Sequence, residues 1–318
     1  MTVHLHDRSV ALFQRLSKAA SGTTIVVGSV VLLDGWLNLA VFTRLMPGLA
    51  SMKANAALAF LAVGLALWLL HADTPDHRLV VLRRDCALLV VLVGGLTLSE
   101  YLVGWDWGID QLLFNDSGSG DVYSGRMAPV TAVNFVLLGT AFVLLDRFRR
   151  YRAAQLLILI ALLFALLAFI GYLYGAESFY RITTSNSVAL HTSITFLILS
   201  LGMLFVWPDH GWMAIVTSDS AGGVLARRLL PAAIIVPVLL GWFQLYGEMA
   251  GLYGTTFGMA LFASSNILIF TLLITWSAAS LYRIDVARQH AEGTLRHLYA
   301  DLEARILERT AQLTSVNH

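Results

Sequence analysis

One cysteine, Cys86, stands in 318 residues. No disulfide can form within the chain, and no cysteine cluster can hold structural zinc. Charge is scarce too: Asp, Glu, Lys and Arg make up 13% of the sequence, about half the share of a soluble domain. The net charge of +1 gives no sign of a nucleic-acid surface, and no nucleic acid is expected among the partners. Also missing are a glycine-rich phosphate loop between strand and helix, a nucleophile elbow and a paired-carboxylate metal site. Ser117-Gly118-Ser119-Gly120 lacks a strand-to-helix context and reads as flexible linker. Residues 1–318 therefore carry no expected catalytic residue, metal or cofactor.

Long apolar runs are abundant instead, in a sequence that is 58% hydrophobic. Eight of them are long enough to be spans, at 22–43, 54–72, 86–105, 128–146, 153–174, 188–207, 229–247 and 257–280. Backbone groups in hydrocarbon must bond internally, so these runs are expected as helices in an all-α integral membrane protein. Three parts follow: a cytoplasmic segment 1–21, an eight-span membrane domain 22–280 and a cytoplasmic helix 281–318. The N-terminus is polar and basic and is followed by a run long enough to span, unlike a signal peptide. Orientation follows from basic residues near span ends. Arg8, Arg15, Lys18, Arg78, Arg83, Arg84, Arg147, Arg149, Arg150, Arg152, Arg227 and Arg228 fall on one side, twelve in all, against four, Arg44, Lys53, Arg126 and Arg181, on the other. Both termini are thus expected in the cytoplasm and the chain in a bacterial inner membrane. The outer loops are short and partly acidic, with Asp106, Asp110, Asp116, Asp121 and Glu177.

The sequence also repeats itself. A Gly-aromatic pair sits near the outer end of each odd span: Gly35-Trp36, Gly104-Trp105, Gly171-Tyr172 and Gly241-Trp242. The returning spans align as well. Met52, Asn55, Ala57 and Phe60 match Met127, Val130, Ala132 and Phe135, then Val188, His191, Ser193 and Phe196. Four residues after each Phe comes a small residue, Gly64, Gly139 or Ser200, suited to close helix packing. The last hairpin keeps a weak echo in Phe262 and Asn266. Four helical hairpins of one orientation are expected, as parallel repeats. The Gly-aromatic pairs suit interfacial anchors, or alternatively an aromatic ring about an outer-leaflet site.

Ionisable groups inside spans are costly and mark candidate sites. Asp34 precedes Gly35-Trp36, and Glu100 lies one turn before Gly104-Trp105. Each is a candidate to hold a cation or proton, or to pair with Arg126 or Arg181. With Trp36, Trp105, Tyr172, His191 and Trp242 they form the candidate stimulus or ligand site; a packing role is the plain alternative for His191.

Beyond the last run, 281–318 contains no proline and one glycine, Gly293. Ile284, Ala287, Ala291, Leu295, Leu298, Leu302 and Ile306 recur in steps of about three and four residues, and Leu313 resumes the series after Arg309. A narrow apolar seam flanked by charge favours a parallel partner helix, most simply from a second copy, and the eleven-residue period implies a slightly right-handed drift. Leu302-Glu303-Ala304-Arg305-Ile306-Leu307-Glu308-Arg309-Thr310-Ala311-Gln312-Leu313 resembles the linker between membrane sensors and output domains of bacterial sensor histidine kinases. Some diguanylate cyclases carry a similar linker. The Met-x-x-Asn/Thr-x-Ala-x-x-Phe pattern resembles the multi-span regions of the same kinases. The resemblance implies a membrane input module of a two-component system, dimeric through its C-terminal helix, with an output domain beyond residue 318. His290 and His297 lack the phosphoacceptor pattern such a kinase requires. The rival expectations are a transporter or channel, which parallel repeats also suit, and a lipid-modifying enzyme, which would need a cluster of His, Asp or Glu at one interface.

Overall fold

The computed structural model describes residues 2–37, 50–72, 76–111, 125–180, 187–218 and 220–316. Among them the regular structure is entirely helical: α1 Thr2–Trp36, α2 Ala54–Leu69, α3 His77–Val103, α4 Pro129–Asp146, α5 Tyr151–Tyr174, α6 Glu177–Tyr180, α7 Leu190–Phe205, α8 Met213–Thr217, α9 Ala221–Met249 and α10 Thr255–Val316. Six helices are long and apolar enough to cross a membrane, namely Val10–Trp36 within α1, then α3, α4, α5, α9 and Thr255–Arg283 within α10. That is the build of a multi-pass membrane protein. Two expected spans, α2 and α7, have 16 residues each, against about 20 for a simple crossing. Arg44, Arg181, Asp116, Asp121 and the 117–120 linker lie outside the described residues.

The chain divides into two compact units, Met1–Val224 and Leu225–His318. In the first, α1 packs on α2 and α7, α3 on α2 and α4, and α5 on α4 and α7. The contacts close a ring in which every outer helix (α1, α3, α5) lies between two inner ones (α2, α4, α7). Burial separates the two sets. Ten of the 16 residues of α2 and nine of the 16 of α7 are buried, against five of the 27 of α3. Phe60, Phe135 and Phe196, one from each inner helix, are fully buried. Their ring centroids lie 4.8, 4.6 and 4.8 Å apart pairwise, each pair contributing about 0.5–1.5 kcal/mol beyond the area it buries.

Lipid is as apolar as leucine, so helices in it associate through close packing rather than water exclusion. The outer helices accordingly meet the inner ones at glycine. A Cβ on Gly28 of α1 would lie 2.8 Å from the Ala57 carbonyl oxygen, and one on Gly94 of α3 would lie 2.8 Å from that of Ala132. Ala57 and Ala132 occupy matching places in the returning segments. Gly64 and Gly139 are packed in turn against Ile25 and Val91, as their small size led one to expect.

The start of the first span differs from the sequence reading. Ser17, Ser21 and Thr24, on either side of the expected boundary at residue 22, are polar yet fully buried. Ser17 Oγ donates to the Gly202 carbonyl of α7 at 2.7 Å, while Ser21 and Thr24 donate back to Lys18 and Ala20 within α1. With their hydroxyls satisfied, these small side chains become packing positions, and the candidate span reaches well to the N-terminal side of residue 22.

In the second unit α9 continues through Pro231 and Pro237. Arg228 donates to Ser280 Oγ at 2.9 Å and lies over the Trp276 ring, tying the start of α9 to the middle of α10. Helix α10 runs unbroken for 62 residues; at about 1.5 Å per residue it is a rod on the order of 90 Å long. The last span and the charged helix are thus one element, and Gly293 does not interrupt it.

Gly94 and Gly95 offer a paired test of the packing, because a Cβ on Gly95 would meet nothing within 4 Å. Gly94→Ala is expected to destabilise the detergent-solubilised protein by about 1–3 kcal/mol and Gly95→Ala to leave it unchanged or slightly stabilised. Thermal unfolding of both variants measures the difference.

Candidate functional site

One end of the first unit gathers the buried charged side chains of the described residues, Glu100, Asp110 and Arg126. Helix α3 stops at Gly104, whose φ of +77° turns the chain back over the helix end. The returning strand of residues brings the Trp107 N–H to Glu100 Oε1 at 3.0 Å and the Trp107 indole N–H to Ser99 Oγ at 3.0 Å. It then buries Asp110. Gly125 can pass this point only as glycine: its φ is +80°, and a Cβ there would lie 2.5 Å from the Asp110 carbonyl oxygen.

Arg126 follows and enters the bundle beside the two acids. Its Nε donates to Asp110 Oδ2 at 2.7 Å and lies 3.2 Å from Glu100 Oε2. Because the Nε hydrogen is directed at Asp110, Glu100 Oε2 is buried without a hydrogen bond of its own, although it lies within ion-pair distance. Burial by itself lowers the tendency of Arg126 to hold its proton; the hydrogen bond and charge of Asp110, with the charge of Glu100, more than reverse this, so its pKa is raised. The guanidinium also lies over the Tyr101 ring, 5.4 Å from its centroid, and Tyr101 donates to the Met127 carbonyl at 3.0 Å. Asn55 of α2 completes the group, donating from Nδ2 to Asp110 Oδ1 at 3.2 Å.

Glu100, Asp106 and Asp110 each place a carboxylate oxygen within 4.8 Å of the others. Three acids so close have the donor type that suits a hard cation. Arg126 stands among them, however, its Nε shared between the two buried carboxylates, and Asp106 is 78% exposed on its side chain. Arg126 therefore serves as a tethered cation. Two buried carboxylates thus face one guanidinium.

The other expected site residues are dispersed. His191, at the place that Asn55 takes in α2, accepts a hydrogen bond from the Met52 N–H at its Nε2, 3.1 Å away. The ring is therefore neutral and carries its proton on Nδ1. Tyr172 donates to the Val188 carbonyl and stacks on Tyr180 with centroids 4.0 Å apart. Trp36 and Trp105 are 72% and 63% exposed, facing away from the core as interfacial anchors do. Asp34 is half-buried near the end of α1, and Trp242, in the second unit, stacks on Tyr246. The pairing of Glu100 with Arg126 was legible from the sequence as one of two options; the parts of Asp110 and Asn55 were not. A signal existed for Asn55, since it and His191 share a repeat position and each bonds a segment outside its own hairpin.

No family model, curated protein or solved structure matches this chain. Its class, a multi-pass helical membrane protein, thus rests on its own helices.

Removing one partner from a buried ion pair leaves a charge unpaired, at a cost of about 3–5 kcal/mol. Arg126→Met is expected to lower stability by that order, Glu100→Gln to cost much less, and Asp106→Asn to change little. Denaturation in detergent micelles gives all three values. The double variant Arg126→Met with Glu100→Gln should recover part of the loss.

Proposed function

We propose that this protein is the membrane input module of a bacterial signal-transduction protein, most specifically of a sensor histidine kinase in a two-component system. The observation that carries the proposal is α10. It passes without a break from an apolar span, Thr255–Arg283, into a charged segment bearing the Leu295, Leu298, Leu302 and Ile306 seam. A rigid rod of this kind transmits rotation or displacement from a bilayer into water. In this reading the full architecture is eight spans arranged as four parallel hairpin repeats, with α2 and α7 as short inner spans and both termini cytoplasmic. The protein works as a homodimer, and α10 delivers its movement to a cytoplasmic output domain, a histidine kinase in the first instance and a diguanylate cyclase in the second.

The mechanism has two steps. A stimulus at the outer end displaces α9 or α10, and the displacement changes the register or rotation of the paired α10 helices. Such a relay needs two packings close in energy. The outer-facing sides of Leu298 and Leu302, 54% and 53% exposed, supply the surface that a second α10 would cover. Ile284, Leu295 and Leu313 lie on the same helix with side chains outside the described set. The filled axis of the first unit, closed by Phe60, Phe135 and Phe196, favours this reading over transport.

The test uses the full chain with Cys86→Ser, so that introduced thiols stand alone. Leu298→Cys and Leu302→Cys are expected to form disulfide-linked dimers in membranes, and Tyr299→Cys, off the seam, to form far fewer. Absence of dimer at both seam positions would sink the seam. Substrate-dependent flux through the protein in proteoliposomes would instead favour a transporter.

A further inference from the structure

At the end of the first unit opposite the Arg126 cluster, the turns after α2, α4 and α7 enclose a cavity of ≈ 360 Å³, within the size range of small-ligand sites. Its polar walls are Arg83 of α3, Asp146 at the end of α4, Arg149 in the turn to α5, and His210; Tyr151 and Trp207 supply aromatic surface. A second pocket of ≈ 460 Å³ shares Arg149 and Tyr151 with it and adds Arg150 and Arg152. Four arginines thus line a continuous pair of hollows against the single carboxylate of Asp146.

Two details go beyond charge. Arg83 is held in place by Asp146, Nη2 to Oδ1 at 2.6 Å, with its side chain 16% exposed. That bond leaves its Nε buried with no hydrogen-bond partner, although a buried guanidinium N–H normally has one. The Asp146 contact thus fixes the guanidinium of Arg83 in the cavity lining. The second detail is the backbone of Arg149. Its φ is +50°, the one positive φ on a non-glycine residue among those described. A left-handed conformation costs most residues about 1 kcal/mol or more, and glycine takes it at no steric cost. The turn thus keeps a guanidinium where glycine would be more stable, and strain of this kind collects at ligand clamps. The backbone of the turn is held by the Arg150 N–H, which donates to the Leu144 carbonyl at 3.0 Å.

We propose that this cavity binds the phosphate group of an anionic ligand. The guanidinium groups of Arg83 and Arg149 donate to its oxygens, and Arg150 and Arg152 add positive potential at the mouth. Arginine's planar fork matches phosphate better than a point charge does. Tyr151, whose ring lies 4.4 Å from that of His210 and 5.8 Å from that of Trp207, offers a flat surface to whatever bears the phosphate. Two sources supply that chemistry: the headgroup of an anionic lipid, which basic pockets between membrane helices take, and a free phosphate-bearing solute.

The experiment is thermal unfolding of the full chain in dodecyl maltoside, with added phosphatidylglycerol, phosphatidylcholine or inorganic pyrophosphate. Phosphatidylglycerol or pyrophosphate is expected to raise the midpoint by several degrees over the phosphatidylcholine control. A response to phosphatidylglycerol alone assigns the site to lipid; a response to pyrophosphate assigns it to a free solute. Arg149→Gly should keep or raise the midpoint without ligand and abolish the increment. Arg147→Gln, which removes the same charge from a residue lining neither hollow, should retain it. No increment above phosphatidylcholine from either anion, or an Arg149→Gly variant that responds like the parent, overturns the proposal.

Discussion

Contact among Phe60, Phe135 and Phe196 is the constraint from which the first unit's other features follow. Three inner helices can bring phenylalanines within 5 Å of one another only if their backbones converge, and convergence forces the outer helices into the gaps between them. Those gaps are narrow, so Gly28 and Gly94 are needed where α1 and α3 meet the carbonyls of Ala57 and Ala132. In lipid there is no general hydrophobic force to hold a loose arrangement, and stability comes from many short contacts. An axis filled with aromatic carbon also leaves no room for charge, which explains why the ionic groups are displaced to the ends.

The two ends have different electrostatic character. At one, Glu100 and Asp110 both pair with the guanidinium of Arg126. The members of this cluster come from α2, α3 and the segments flanking α3 and α4, so the cluster locks the first two hairpins together. The Met52–His191 bond does the same for the first and third. The other end is an arginine-rich hollow in which one acid orients one base and the remaining cations are left to solvent or ligand. An inward pair that satisfies itself is a structural joint; a cation surplus around a cavity is a receptor for an anion. The difference follows from counting charges against partners rather than from the residue types alone.

Much of this was legible in the sequence. The Met-to-Phe match among the returning segments picked out the inner helices, since the residues that align are those that reach the axis. The small residue after each Phe marked helix contacts for the same reason. What escaped was of two kinds. Ser17, Ser21 and Thr24 counted as polar in a hydropathy sum, yet each donates to a backbone carbonyl and packs as a small apolar side chain would; composition does not record that satisfaction. Asp110 and Asn55 are 55 residues apart and meet only because the chain after α3 turns back at Gly104. That turn depends on one left-handed glycine, and the sequence offered it as half of an aromatic motif. The Trp partners of that motif proved to face outward, so its structural weight rests on the glycine.

The second unit contrasts with the first in how little it buries. Ser277 is its one buried polar side chain among the described residues, and large apolar side chains such as Leu239, Phe243, Leu268 and Leu272 remain exposed along α9 and α10. A tightly interlocked core has one good packing, and small displacements within it are resisted steeply. A helical hairpin joined by few fixed contacts has neighbouring arrangements of similar energy, which is what a two-state element requires. Helix α10 combines that loosely held span with a rod of 62 residues, so a shift at its membrane end is conveyed along the backbone hydrogen-bond ladder rather than absorbed at a hinge. The chain divides at about residue 224 into a closely packed unit and one that buries little, a division that suits the relay proposed above.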